Sequence, residues 1–93
     1  MSESVSVGQL VVSRAGRDQG KAYIVVEASG GGFVKVADGT LRRVAHAKRK
    51  NLRHLIVYPA VAREIAEAAT GGRIADEQVR QALQRLLGEA EAL

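Results

Sequence analysis

The chain has 93 residues, of which 46% are hydrophobic and 26% charged, and it contains no cysteine. A chain of this length supports one small domain, and the lack of cysteine excludes disulfides, thiolate metal sites and thiol catalysis. No apolar run reaches the ~20 residues that span a bilayer, and the N-terminus lacks the basic and apolar regions of a secretory signal, so we expect a soluble cytoplasmic protein with no membrane partner.

The net charge of +4 is concentrated in the first part of the chain. Residues 1–58 hold ten basic and four acidic residues, a balance of +6, whereas residues 59–93 hold four basic and six acidic residues, a balance of −2. The only proline, Pro59, lies at this boundary, where the apolar period changes from that of strands to that of helices. We therefore predict a basic β domain over residues 5–58 and a helical extension over residues 59–93. The positive charge favours a polyanionic partner.

The β domain has the pattern of short strands separated by turns. Asp38-Gly39 predicts a two-residue hairpin of type I′, because that turn needs positive φ at both central positions. Four or five strands at this spacing predict a mainly β fold, a small antiparallel barrel that covers its own edges by closing. The apolar and β-branched stretches that supply these strands are, in chain order, residues 5–7 together with 10–12, then 21–28, 33–37, 40–44 and 52–58.

After the proline, apolar residues recur at helical spacing in two stretches that Gly71-Gly72 separates. Asp76 and Glu77 lie where the second helix begins, at the positive end of its dipole. Both helices are short, so they must pack on the barrel, on each other or on a partner. The second stretch is either intramolecular core or a docking helix for another protein or a second copy. The two stretches are Val61, Ile65, Ala68 and Ala69, and then Val79, Leu83, Leu86 and Leu87.

Three sequence blocks occur in an order typical of one known family. The first, residues 8–26, is an apolar strand, a glycine-containing loop and a second strand. The second is the run VADGTLRRV at residues 36–44, and the third is the basic run KRKNLRHL at residues 48–55. Together with the acidic, helical C-terminal segment at residues 76–83, these blocks resemble small bacterial KOW-domain RNA-binding proteins. Those proteins are in turn similar to a large-subunit ribosomal protein of archaea and eukaryotes. The resemblance covers roughly residues 7–87.

The resemblance implies an SH3-like barrel followed by two short C-terminal helices, and non-catalytic binding of RNA. Ribosomal RNA or the large ribosomal subunit is the expected partner, with ribosomal proteins as further candidates. The turn of the KOW loop would depend on Gly16 and Gly20, which permit positive φ. Which RNA is bound, and the oligomeric state, stay open. The residues expected to contact RNA are Arg14, Arg17, Lys21, Arg42, Arg43, Lys48, Arg49, Lys50 and Arg53.

The chemistry of these residues is consistent with phosphate binding. Arginine presents a planar fork that suits bidentate contacts, and residues 42–54 hold six basic residues and no acid. We expect this run to be extended and flexible. We expect Asp18 to form an ion pair with an arginine or to cap the turn, rather than to contact RNA. Because only three residues are aromatic, a reader of phosphates and shape is favoured over a base-stacking platform. Reversing residues 48–50 to glutamate should then abolish RNA binding without unfolding the protein.

Catalytic and cofactor chemistry finds little support in the sequence. Residues 30–32 are three glycines, but no Gly-Lys-Ser/Thr follows them, so they do not form a phosphate loop. His46 and His54 are the only histidines, which is too few for a metal site. The residue types of a hydrolase triad are present at Ser13, Asp18 and His46, but the sequence lacks the nucleophile-elbow motif that such a triad needs. We therefore predict that the protein is not an enzyme and binds neither a metal nor a cofactor.

The alternative to RNA binding is a protein-interaction module that docks to a translation or transcription partner through its C-terminal helix.

Overall fold

The computed structural model describes residues 5–28 and 30–91, so the last two residues of the predicted helical extension lie outside the description. It confirms a mainly β fold followed by two helices. No helix within these ranges is long and apolar enough to cross a membrane. Short 3-10 turns, Val44–His46 and Leu52–His54, flank the fourth strand. The elements are β1 (Gln9–Ser13), β2 (Ala22–Glu27), β3 (Phe33–Ala37), β4 (Lys48–Asn51), β5 (Leu55–Val61), α1 (Arg63–Thr70) and α2 (Asp76–Glu91).

The strands form one antiparallel sheet in the order β4-β3-β2-β1-β5. Within the described residues β4 and β5 do not pair, so the sheet is open and the predicted closure is wrong. The two edge strands are nevertheless joined by only the three residues Leu52–His54. Such a link spans at most about 15 Å, so the sheet must curl until its edges approach each other. The fold is therefore SH3-like in order and curvature, with an open seam between β4 and β5.

Apolar residues pack on both faces of the sheet, because neighbouring residues of a strand point to opposite sides. Leu10 and Ile24 belong to a core shared with the helices, whereas Val11 and Val25 belong to the core inside the curl. The predicted boundary at Pro59 falls within β5, which continues to Val61 before α1 begins. Sheet and helices therefore form one packed unit, whose shared core contains Leu10, Ile24, Ala37, Ala62, Ile65, Val79, Ala82 and Leu86.

The predicted type I′ hairpin at Asp38-Gly39 does not form. Within the described residues only glycines have positive φ, and Asp38 therefore cannot take the first position of that turn. Instead the Asp38 carboxylate accepts hydrogen bonds from the backbone N–H groups of Thr40 and Arg42, both at 2.8 Å. The chain then continues to β4 through residues 38–47, here called the 38–47 loop, rather than through a strand at residues 40–44. Residues 5–7 likewise precede β1 without joining the sheet.

The 38–47 loop is held against α2. Asp76 accepts a hydrogen bond from the backbone N–H of Val44 at 2.8 Å, and Arg80 donates to the carbonyl of Gly39 at 2.7 Å. Gly39 has φ of +82°, and a Cβ there would lie 2.5 Å from the backbone oxygen of Asp76. This close approach requires a residue without a side chain.

Replacing Gly39 with alanine is therefore expected to lower the free energy of unfolding by about 2–5 kcal/mol, from backbone strain together with overlap against α2. Gly72 is the matched control, because its φ is +98° but no atom lies within 4 Å of its Cβ position. Gly72→Ala should cost only about 1–2 kcal/mol. Urea unfolding measures both, and equal losses would contradict the tight packing of the loop on α2.

Candidate nucleic-acid interface

Residues 14–21 connect β1 to β2 in a compact turn, here called the 14–21 loop. Gly16 and Gly20 have φ values of +84° and +90°, which glycine adopts without steric cost. The backbone N–H of Gly20 donates to the carbonyl of Ser13 at 2.7 Å, and that of Lys21 donates to the carbonyl of Asp18 at 2.9 Å. These bonds bring the Asp18 side chain back over the end of β1.

Asp18 is the centre of a buried polar network, here called the Asp18 cluster. Its Oδ1 accepts hydrogen bonds from Ser13 Oγ at 2.7 Å and from Lys50 Nζ at 3.1 Å. Its Oδ2 accepts from the Tyr23 hydroxyl at 2.8 Å and from Lys48 Nζ at 3.3 Å. The side chains of Asp18 and Lys50 are only 12% and 8% exposed. Since Lys48 and Lys50 belong to β4, this cluster ties the edge strand to β1 and β2 where backbone pairing is missing.

The cluster keeps Asp18 ionised. Burial raises the pKa of the Asp18 carboxyl, but the hydrogen bonds from Ser13, Tyr23, Lys50 and Lys48 outweigh burial and hold this pKa well below its usual range. Burial and the bond to the carboxylate raise the pKa of Tyr23, so its hydroxyl stays a donor. One carboxylate thus faces two ammonium groups, and the cluster retains an excess positive charge.

The structure corrects three expectations about Asp18 and the basic run at residues 48–50. Asp18 holds two lysines rather than an arginine, and Lys50 is buried in the cluster instead of lying on the surface. The basic run is an ordered edge strand, because Lys48, Arg49 and Lys50 pair with Val36, Lys35 and Val34 of β3. Reversing residues 48–50 to glutamate would place new carboxylates against Asp18, so that variant is expected to unfold and cannot report on RNA binding alone.

Lys21 also makes a structural contact. Its Nζ lies 2.9 Å from the Asp38 carboxylate, which is buried. Burial raises the pKa of Asp38, but the bonds from Lys21 and from the N–H groups of Thr40 and Arg42 lower it to about 2. The pair joins the 14–21 loop to the 38–47 loop and fixes their relative position.

Some of the exposed basic residues lie in the chain segments that form or adjoin the Asp18 cluster. The backbone N–H of Arg14 donates to the carbonyl of His54 at 2.8 Å, so the 14–21 loop lies directly beside the Leu52–His54 turn. Arg14, Arg17 and Arg53 are exposed, and Lys48 is half-buried beside them. Asp18 is the only acidic residue in residues 14–21 and 48–54. We call Arg14, Arg17, Lys48 and Arg53 the basic rim.

The remaining predicted contact residues lie elsewhere on the surface. Arg42 and Arg43 lie in the 38–47 loop, where Arg42 is half-buried and donates to the carbonyl of His46 at 3.2 Å. Arg49 is exposed on β4, and its guanidinium lies 3.8 Å from the centre of the Phe33 ring. Arg42 and Arg43 are therefore separate from the basic rim in the chain, whereas Arg49 follows Lys48 but points to the opposite face of β4.

The features considered for catalysis and metal binding do not converge. In the part of the chain that the structure describes, no three histidine or acidic residues are placed to hold a metal ion. Ser13 Oγ contacts Asp18, Lys50 and the carbonyl of Ala15, and no hydrogen bond of Ser13 or Asp18 involves His46. The Ser13 hydroxyl is thus part of the Asp18 cluster.

The apolar stripe of α2 packs within the protein. Val79 and Leu86 are fully buried against Ile65 and the sheet, and Leu83 and Leu87 are half-buried against the same core. Val79 and Leu86 are therefore part of the protein core, whereas Leu83 and Leu87 keep partly exposed surface.

Compared with known proteins, the chain matches no family model, and no curated sequence is significantly similar to it. A functional interpretation must therefore depend on the resemblance of its sequence blocks and on the geometry of the basic rim.

Proposed function

We propose that this protein binds folded RNA through the phosphate backbone, with the basic rim as the contact surface. The observation that carries the proposal is the placement of Arg14, Arg17 and Arg53 around a buried cluster that itself holds excess positive charge. A polyanion such as RNA neutralises this charge and releases counterions when it binds. The resemblance to KOW-domain proteins adds ribosomal RNA of the large subunit as the specific target.

The aromatic residues favour recognition of phosphates and shape. Tyr23 is buried and its hydroxyl is bonded to Asp18, while Tyr58 is packed against the shared core. One face of the Phe33 ring is covered by Arg49. Because single-strand readers stack bases on exposed aromatic rings, these contacts disfavour a base-stacking platform built from the three aromatic residues.

The rim is preorganised for binding. The Asp18 cluster fixes the 14–21 loop to β4, and the short Leu52–His54 turn is held by its bond to Arg14. A surface that is already ordered loses less conformational entropy on binding, which leaves more of the electrostatic attraction as affinity.

The test is a titration of the protein with large-subunit ribosomal RNA over a range of salt concentrations. Four phosphate contacts predict that the logarithm of the association constant falls with the logarithm of salt concentration with a slope of about −3. A slope near zero would contradict phosphate binding.

A second experiment addresses the ribosomal target. Sedimentation of the protein from lysate through a sucrose gradient should show co-migration with the large subunit at low salt, lost at high salt or after ribonuclease treatment. Migration at the top of the gradient in every condition would overturn the ribosomal assignment.

A further inference from the structure

Leu41 is an unusually exposed apolar residue. Leu41 is 87% exposed, compared with 45% for Ile56 and 38% for Val61, the other exposed large apolar residues in the described chain. Burying a leucine contributes about 1.5–3 kcal/mol, and Leu41 gains none of this in the free protein. Single exposed leucines are common, but Leu41 combines this exposure with a position next to Arg42 and Arg43 in a hydrogen-bonded loop, which suits contact with a partner.

The backbone around Leu41 is rigid. The Asp38 carboxylate accepts bonds from the N–H groups of Thr40 and Arg42, the residues on either side of Leu41. The same carboxylate is paired with Lys21, and the carbonyl of Gly39 accepts a bond from Arg80 of α2. The loop thus holds the backbone of Leu41 in place, so that only its side chain has to be ordered on binding.

The charges within the 38–47 loop favour an anionic partner. Arg43 is exposed beside it, and Asp38, the only acidic residue of the 38–47 loop, is buried with its carboxylate bonded. A specific protein interface buries about 800 Å² on each partner, far more than one leucine side chain offers. Nucleic acids, by contrast, are contacted by single apolar side chains that pack on base faces between phosphate contacts.

We propose that Leu41 packs on the face of an unpaired base of the bound RNA, while Arg43 contacts the adjacent phosphate; this inference rests on the proposed RNA binding. An unpaired base is the target because base faces within an A-form helix are stacked on one another, whereas a base in a bulge offers an open apolar surface. The rim then holds the RNA backbone, and Leu41 selects for an interruption of the helix.

The test uses two fluorescent RNA hairpins, one fully paired and one that differs only by a bulge. Leu41→Ala should weaken binding of the bulged hairpin about tenfold, equivalent to about 1.4 kcal/mol, and leave the paired hairpin unaffected. Its salt slope should stay unchanged because an apolar contact releases no counterions, whereas Arg43→Ala should reduce the slope by about 1. Ile56→Ala is the matched control and should bind both hairpins like the unmodified protein.

The outcomes separate this inference from the proposed function. If the unmodified protein binds neither hairpin nor large-subunit ribosomal RNA, RNA binding itself is wrong. If it binds RNA but Leu41→Ala binds the bulged hairpin equally well, or loses both hairpins equally, only the assignment of Leu41 is wrong. Self-association of the unmodified protein that disappears in Leu41→Ala would instead assign the residue to contact with a second copy. The thermal midpoint should be unchanged, because the side chain is exposed.

Discussion

Replacing Asp18 with asparagine is expected to lower the free energy of unfolding by about 3–5 kcal/mol, because the change leaves the buried ammonium of Lys50 without a counter-charge. In a domain of this size each kcal/mol lowers the melting temperature by roughly 4–8 °C, so a fall of at least about 12 °C should be seen. Thermal and urea unfolding followed by circular dichroism measure the effect. A loss below about 1 kcal/mol would show that the cluster does not hold the sheet together.

A double-mutant cycle separates the ion pair from general damage. Lys50→Met removes the buried ammonium at similar side-chain length and leaves Asp18 bonded to Lys48, Ser13 and Tyr23. Adding Lys50→Met to the Asp18→Asn variant should therefore restore part of the lost stability, with a coupling energy of about 1–3 kcal/mol. Strict additivity of the two changes would mean that Asp18 and Lys50 do not act as a pair.

The pH dependence of the free energy of unfolding is an independent test of the Asp18 carboxylate. Because the pKa of Asp18 is held below its usual range, its contribution to stability is complete above about pH 4 and is lost as the pH falls towards its folded-state pKa. The Asp18→Asn variant should accordingly lose less stability than the unmodified protein when the pH is lowered from neutrality. The remaining acid sensitivity should come mainly from Asp38, whose pKa is also lowered, to about 2.

Replacing Arg14, Arg17 and Arg53 together with alanine is expected to weaken RNA binding about a thousandfold at low salt. Each lost phosphate contact costs on the order of tenfold in affinity, and the salt slope should become shallower by about 2–3. All three side chains are exposed, so the free energy of unfolding should change little. Fluorescence anisotropy with large-subunit ribosomal RNA, over a range of salt concentrations, measures both quantities.

The matched control removes the same charge from other surfaces. Lys35, Arg63 and Arg73 are exposed and lie outside the basic rim. Their joint replacement with alanine should reduce affinity only slightly, through the lower net charge of the protein. If both triple variants lose the same affinity, the RNA is attracted by overall charge and the basic rim is not a binding site.

Local patterns in the sequence predict most of the fold. Alternating apolar residues identify β2 and β3, and helical spacing ended by Gly71-Gly72 identifies α1. These features depend on neighbouring residues alone, which is why the sequence is sufficient for them. The predicted boundary at Pro59 is wrong because an edge strand also accepts a proline, and β5 continues through Pro59 to Val61.

Long-range side-chain contacts determine the features that the sequence does not predict, namely the buried position of Lys50 and the path of the 38–47 loop. In a strand, Lys48 and Lys50 point to one face and Arg49 to the other, so the sequence does indicate that these three cations differ. Which face is buried depends on Asp18, which reaches β4 from a loop 30 residues away in the chain. The predicted type I′ hairpin at Asp38-Gly39 is wrong for a similar reason. The Asp38 carboxylate accepts hydrogen bonds from two backbone N–H groups and pairs with Lys21, and these contacts stabilise a different path of the chain.

The open sheet has a consequence for how the protein behaves when concentrated. Unpaired strand edges can template pairing with another copy and lead to aggregation. Here β4 carries the exposed Arg49 and the half-buried Lys48, whose charges repel a second copy, and β5 carries Pro59, which offers no N–H to a neighbouring strand. Lys48 thus belongs both to the charged edge and to the basic rim that we propose contacts RNA. Any variant that neutralises this strand must have its particle size measured alongside its affinity, since both change together.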